Sequence, residues 1–297
     1  MKYQVNTVSV ELGNKEFITS GGEGKIYARG DIVYKILDDK KNVIPIAKMV
    51  ELKAINCPTV IVPLDPIYKN HDMVGYTMRY VKNTFVVCQI FTHSFKSRNN
   101  IKNEHIINLT KNMMETTKFI HSKNILVVDY NEFNFLLGND FKNVYFIDTN
   151  SYQTTTFKAT ALMESIRDRL SPGIFNEKTD WFGFGIVSFQ MFTGIHPYKG
   201  SHKKLKSLDE RMLNSVSVFN QEVSCPAKFK DYSNIPKNLY DWYYEVFEKG
   251  QRMTPPENFD HNITPTRVVK TSSGKVKIEI IKKSDQEILD WCGDTIS

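Results

Sequence analysis

Residues 181–194, WFGFGIVSFQMFTG, run almost without a polar side chain. The run is apolar on every side, so a helix formed there has no face to give to water and must be buried all round. Other elements therefore have to close around it. It falls short of the roughly 18 uninterrupted apolar residues that span a bilayer, and no other stretch comes nearer. With 297 residues, 41% hydrophobic and 24% charged, the chain can bury such a core and is long enough for two small domains.

The surrounding pattern changes character along the chain. In GKIYARGDIVYKIL, residues 24–37, two β-rich runs flank Gly30-Asp31, a tight-hairpin signal. VIPIAKMVELKAIN, residues 43–56, predicts a helix with Pro45 in its first turn and apolar positions Val43, Ile46, Ala47, Val50 and Ala54. PTVIVPLDPIY and MVGYTMRYV predict two further strands. Beyond residue 83, IKNEHIINLTKNMMETTKFIHSK predicts a long helix with apolar positions Ile106, Ile107, Met113, Met114, Phe119 and Ile120. VVDYNEFNFLLGNDFKNVYFID predicts a strand pair turning at Gly138-Asn139-Asp140, followed by a loop over about 149–178. NLYDWYYEVFEKG predicts a helix closed by Gly250. The tail predicts a hairpin over TRVVKTSSGKVKIEII and a short helix over SDQEILDWCG. A β-rich half followed by a helical half implies two lobes with a cleft between them.

Composition excludes some classes. The four cysteines form no CxxC pair, so neither a disulfide framework nor a zinc site is expected, and the thiols are read as reduced and packed. The first residues, MKYQVNTVSVELGNKEF, lack the apolar core of a secretory signal, which implies a cytoplasmic protein, in the host cytoplasm if viral or phage-encoded. The net charge of +6 is carried by scattered lysines, more in keeping with a solvated face than with a nucleic-acid surface, and no membrane partner is expected.

Several polar positions stand out against this background. TSGGEGKIY is a glycine-bearing turn before a strand, and Lys35 lies among apolar neighbours in IVYKIL, where an ammonium needs an anionic partner. Glu51 is the one carboxylate of the 43–56 segment. Asp129 and Asn134 sit between apolar runs in VVDYNEFNFLL, and Asp148 ends the apolar stretch YFID. Taken in order, these segments resemble the protein kinase superfamily, in its divergent eukaryotic Ser/Thr form, over residues 15–258 or so. TDWFGFGIVSFQMFTGIHPY resembles that family's buried central helix.

The resemblance implies an α+β, bilobal protein kinase-like fold: a small β-rich N-lobe with one main helix (1–82), a larger and mostly helical C-lobe (83–260), and an extension of unassigned role (261–297). It implies transfer of the γ-phosphoryl group of ATP to Ser/Thr hydroxyls of protein substrates, with Mg2+ or Mn2+. Gly21, Gly22 and Gly24 would line the phosphates, with Thr19 where the first family glycine stands. Lys35, held by Glu51, would position the α- and β-phosphates. Met78 would back the adenine pocket, and Arg79 to Val81 would offer it backbone groups. Asp129 would orient the attacking hydroxyl, with Asn131 beside it as a catalytic-loop donor. Asn134 and Asp148 would hold the metal. Asp180 would cap the backbone of the catalytic loop, and Gly194 and Pro197 would close the central helix.

The chain departs from the family at points that bear on regulation. Val127 and Val128 replace the His and Arg before the catalytic Asp, which leaves a phosphate on the segment 150–178 without its usual arginine. Activity is therefore expected not to depend on phosphorylation of Thr154, Thr155, Thr156 or Thr160. Asn131 stands where a lysine is usual, and Asp148-Thr149-Asn150 replaces DFG. The segment Ser171 to Gly173 lacks the family glutamate, which leaves Arg252 without an expected partner. Two other readings remain open at this level: a nucleotide-binding pseudokinase or scaffold, and a small-molecule phosphotransferase. Oligomeric state is left open.

Overall fold

The computed structural model describes residues 1–159 and 162–259, and the backbone of Trp291–Cys292 and Thr295–Ile296. The chain begins with the strands β1 (Lys2–Val5), β2 (Val8–Glu11), β3 (Phe17–Ser20), β4 (Gly24–Arg29) and β5 (Ile32–Leu37). After helix α1 (Ile46–Leu52) come β6 (Pro66–Lys69) and β7 (Asp72–Arg79). They form one 7-stranded antiparallel sheet in the order β2-β1-β6-β7-β5-β4-β3. The predicted hairpin is present, with Arg29 opposite Ile32 across the Gly30-Asp31 turn. β5, which carries Lys35, is flanked on both sides by partners and is buried over nearly its whole length. Tyr3, Val10, Leu12, Tyr27, Tyr34, Ile36 and Ile67 cover one side of the sheet with a small apolar cluster.

The remainder is mostly helical: α2 (His93–Arg98), α3 (Asn103–His121), α4 (Glu177–Thr193), α5 (Leu208–Leu213) and α6 (Lys237–Phe247). A 3-stranded antiparallel sheet joins β8 (Thr84–Val86), β9 (Phe135–Gly138) and β10 (Val144–Phe146) in the order β10-β9-β8. As its composition requires, α4 is buried from Asp180 through Met191. Its aromatic side chains meet those of α6: Phe189 lies edge-on to Tyr243 and to Phe247, and Phe182 edge-on to Phe247. Such pairs add about 0.5–1.5 kcal/mol beyond the area they bury. At Gly183 a Cβ would stand 2.6 Å from the Cβ of Tyr130, so glycine there lets the loop after α3 lie directly against the helix. The carboxyl end of α4 is closed from outside by Lys96 of α2, whose Nζ donates to the carbonyls of Met191 (2.6 Å) and Phe192 (3.3 Å).

Three local expectations are corrected. The strand predicted over PTVIVPLDPIY starts only at Pro66; the residues before it run along the end of β10, where Thr59 O accepts from Phe146 N and Phe146 O accepts from Ile61 N. The helix α1 is shorter than predicted and turns the other way. It buries Lys48, Met49 and Leu52 and leaves Ile46 and Val50 exposed at 50% and 62%. Seven residues are too few for a periodic stripe to dictate orientation, and packing of Met49 and Leu52 decides it. In the tail, Trp291–Cys292 is a strand paired with Thr295–Ile296 instead of helix; the rest of the predicted hairpin and helix lies outside the described residues. Among the described residues Cys57, Cys88 and Cys225 are free and half-buried, and no helix is long and apolar enough to cross a membrane.

Candidate functional site

The loop between α3 and β9 is held from beneath by Asp180, which is fully buried at the start of α4. Its Oδ2 accepts from Val127 N (2.7 Å) and its Oδ1 from Val128 N (2.9 Å); the His121 ring nitrogen Nε2 lies 2.9 Å from Oδ2. A buried carboxylate needs this many donors to be tolerated. The grip has a visible consequence: Val128 adopts φ 61, a left-handed conformation that a β-branched residue takes only under constraint. The kink aims the next residue, Asp129, across the loop toward Asn131 and Asn134. Asn131 Nδ2 donates to Asp129 Oδ2 at 2.7 Å, and Asn134 Nδ2 donates to the same oxygen at 3.1 Å and to the Asp129 carbonyl at 3.0 Å. The other carboxylate oxygen, Oδ1, accepts from the backbone N–H of Met163 at 2.7 Å. Asn134 Oδ1 has no partner among the described residues.

Asp148 follows β10 and also lies in the left-handed region, φ 59, where Asp is tolerated better than most residues. It is tied to the loop through its neighbour, since Ile147 N donates to the Asn134 carbonyl at 2.9 Å. From the sheet side, Lys35 reaches Asp148 Oδ1, Glu23 Oε2 (2.9 Å) and Asn150 Oδ1 (3.3 Å). Asn150 Oδ1 also accepts from Tyr76 OH at 2.6 Å. Burial works against the ammonium, but the Tyr76 oxygen and the Asp148 and Glu23 carboxylates more than offset it and hold the Lys35 pKa well above the ordinary lysine value.

Residues 113 positions apart in the chain, Lys35 and Asp148, are thus brought into one ion pair, with Asn134 and Asp129 joined to it through the β9–β10 backbone. Glu51 is not part of this group. It sits on the outer side of α1, where Thr156 N donates to its Oε2 at 3.3 Å, and hydrogen bonds from Thr154 and Thr156 keep its carboxyl below the usual range. The expected Lys35–Glu51 pairing is replaced by Lys35–Glu23. The inward residue of α1 is Lys48, whose Nζ donates to the Asn150 carbonyl at 2.6 Å.

The glycines divide by role. Gly21 and Gly22 have open space about them at the hairpin tip, whereas a Cβ at Gly24 would lie 2.1 Å from the Ile36 carbonyl oxygen. Gly24 is therefore required by the approach of β4 to β5. Met78 is half-buried on β7 opposite Val33. Arg79 turns its guanidinium to the Pro58 carbonyl, and Tyr80 N donates to the Asp31 carbonyl at 2.8 Å, which leaves the backbone of Val81 without a partner among the described residues.

Arg252 does have a partner. Asp168, beyond the reach of any motif comparison, accepts from its Nε and Nη2 at 2.6 Å each, and the guanidinium lies 4.3 Å from the Phe182 ring centroid. Thr149, in the segment that replaces DFG, is buried with its hydroxyl on the Ile61 carbonyl at 3.0 Å. Sequence reasoning thus missed Glu23, Lys48, Asn150 and Asp168. Glu23 alone carried a signal, as a charge placed between loop glycines.

Chemically the group offers an ammonium ringed by acceptors, with two oxygens left over: Oδ1 of Asn134 and the second carboxylate oxygen of Asp148, neither of which has a partner among the described residues. An unspent amide oxygen and an unspent carboxylate oxygen are the ligand types of a hard divalent cation that takes its remaining ligands from water or phosphate. Among the described residues no cluster of three or more His, Cys, Asp or Glu forms a self-contained metal cage. No protein-family model matches the chain, and comparison with curated proteins finds no relative.

Proposed function

We propose that the chain is an atypical protein kinase, transferring the γ-phosphoryl group of ATP to Ser/Thr hydroxyls of protein substrates. The observation that carries this reading is the meeting of Lys35 with Asp148 beside the Asp129–Asn134 pair, residues drawn from a central strand, a strand end and a strained loop. A seven-stranded sheet carrying the lysine and a mostly helical remainder carrying the acids support a two-lobed reading, in which the lobes meet near residue 82. In this reading Lys35 binds the α- and β-phosphates, and Gly21 and Gly22 leave room for them at the hairpin tip. The free backbone of Val81 faces the base beside Met78. Asn134 and Asp148 fit Mg2+ and would hold it; bound there, the ion neutralises phosphate charge. Asp129 orients the substrate hydroxyl, and Asn131 keeps the Asp129 carboxylate in place. In phosphoryl transfer the protein supplies position and charge more than covalent chemistry.

One observation favours the second reading, a nucleotide-binding protein without transfer. Both oxygens of the Asp129 carboxylate already accept, one from Met163 N and the other from two amides. The segment around Met163 has to move before a hydroxyl can take its place. Incubation with γ-labelled ATP and Mg2+, scored for label on the chain itself and on a generic basic protein, separates the two. Label transferred by the parent and absent from Asp148→Ala supports the kinase; Mg2+-dependent ATP binding with no transfer supports the scaffold; equal labelling by parent and variant refutes the site.

A further inference from the structure

A cavity of about 360 Å3 opens between the start of α1 and the segment after Asn150. It is lined by Lys41, Lys48 and Lys158, with Glu23, Asn150 and Phe157. Its volume is roughly ten times a water molecule's share of the liquid, about 30 Å3. Three lysines line it against one acidic residue, and that residue, Glu23, is already paired with Lys35.

Lys48 is the telling member. Its side chain is buried to 1% exposure, yet among the described residues its one hydrogen-bond acceptor is the Asn150 carbonyl. An ammonium has three donors, so two are unspent. Glu51 favours its charge but belongs to Thr154 and Thr156. Burial accordingly pushes the Lys48 pKa down to about 8. Buried charges are ordinarily paired. Lys41 and Lys158, both exposed at the rim, have no ion-pair partner among the described residues either.

We propose that this cavity is a binding site for a tetrahedral oxyanion of the phosphate class, held by Lys48 at its base and by Lys41 and Lys158 at its rim. Lysines act on phosphate as mobile point charges, and three of them converging from different segments can each take one oxygen. The shared chemistry has two sources. One is free phosphate. The other is the chain itself, through Thr155 or Thr156, both exposed on the turn that precedes Phe157 and Lys158. The cavity shares Glu23 and Asn150 with the Lys35–Asp148 group, but the inference rests on three lysines outside that group.

The test is calorimetric titration of the full chain, treated with phosphatase, with sodium phosphate at fixed ionic strength and pH 7. Expected is a saturable one-site isotherm, weakened about tenfold or more both in Lys48→Met and in the surface double variant Lys41→Ala/Lys158→Ala, the loss of one charge-assisted hydrogen bond each or more. Lys40→Ala, at an exposed lysine paired with Asp72 outside the cavity lining, should leave the isotherm in place. Intact mass separates the sources: a chain that carries phosphate on Thr155 or Thr156 and binds the free ion only after dephosphorylation uses its own threonine, while an unmodified chain that binds directly takes the free ion. No saturable binding by the treated chain, binding indifferent to both lysine variants, or an equal loss of binding in Lys40→Ala overturns the proposal.

Discussion

Replacing Asp180 by Asn tests how the strained loop is held. The carboxylate accepts from two backbone N–H groups and lies within hydrogen-bond distance of His121 Nε2, at 0% exposure. An amide has one acceptor oxygen, so its NH2 must face either Val127 N–H or Val128 N–H. At least one buried donor is then unsatisfied, at about 1–3 kcal/mol, and the surviving bond loses its charge assistance, worth roughly another 1 kcal/mol. Val128, at φ 61, adds strain of about 1–3 kcal/mol that the loop can release once the grip fails, which limits the loss. The net expectation, with part of that strain released, is about 2 kcal/mol. For a domain of this size each kcal/mol moves Tm by about 2–4 °C, giving a fall of roughly 4–8 °C. Urea unfolding of parent, Asp180→Asn, Val128→Gly and the double variant measures it directly. Because Asp180 holds Val128 in its conformation, the two substitutions should be non-additive by at least about 1 kcal/mol. A loss under about 1 kcal/mol for Asp180→Asn, or simple additivity, refutes the claim that this carboxylate enforces the loop.

Three further outcomes follow from other parts of the molecule. In a transfer assay, Glu51→Gln should alter the rate by less than about twofold and Glu23→Gln should lower it about tenfold, because Glu23 is the carboxylate on Lys35 and Glu51 is not; the reverse order contradicts the geometry. Asp168→Asn leaves the Arg252 guanidinium, 13% exposed, facing a neutral amide, and should cost about 3 kcal/mol in urea unfolding; a loss below about 1 kcal/mol would show the pair to be ornamental. His196 is buried, with Nε2 toward the Ser165 carbonyl and Nδ1 accepting from Tyr198 N, so it is held neutral; burial, with Lys199 and Arg211 nearby, lowers its pKa from 6.5 to about 4. The unfolded chain therefore takes up the proton first, and its stabilising contribution, present above pH 6.5, is lost as pH falls toward 4, by about 3 kcal/mol in all. His196→Gln should flatten the stability profile in that window; an unchanged slope assigns it to other groups.

Much of the framework was legible from local pattern. The Gly30-Asp31 hairpin and the buried run of α4 are written in short-range periodicity and turn chemistry, and both are present. Asp129 and Asn134 were picked out by the apolar runs around them and Asp180 by the family resemblance, and the loop geometry joins all three. What was not legible depends on which way a short element turns. Glu51 looked like the natural partner for Lys35 because it is the one acid of its segment. In a seven-residue helix, however, the face is chosen by Met49 and Leu52, and that choice sends Lys48 inward and Glu51 outward. Asp168 could not be found by comparison with a motif, because its pairing with Arg252 spans 84 positions and obeys only the packing of two loops. Asn150 stood out in the sequence only as the last residue of the segment that replaces DFG, whereas its side chain and carbonyl tie together Lys35, Tyr76 and Lys48.

The central claim is that Lys35, Asn134 and Asp148 close around a metal-bound nucleotide. Equilibrium titration with ATP, with and without Mg2+, on the parent, Lys35→Met and Asp148→Asn chains tests it most directly. The account predicts saturable one-site binding by the parent that strengthens at least about tenfold with Mg2+, weakened in Lys35→Met and stripped of its Mg2+ dependence in Asp148→Asn. ATP affinity that is unaffected by the metal and by both substitutions would contradict it.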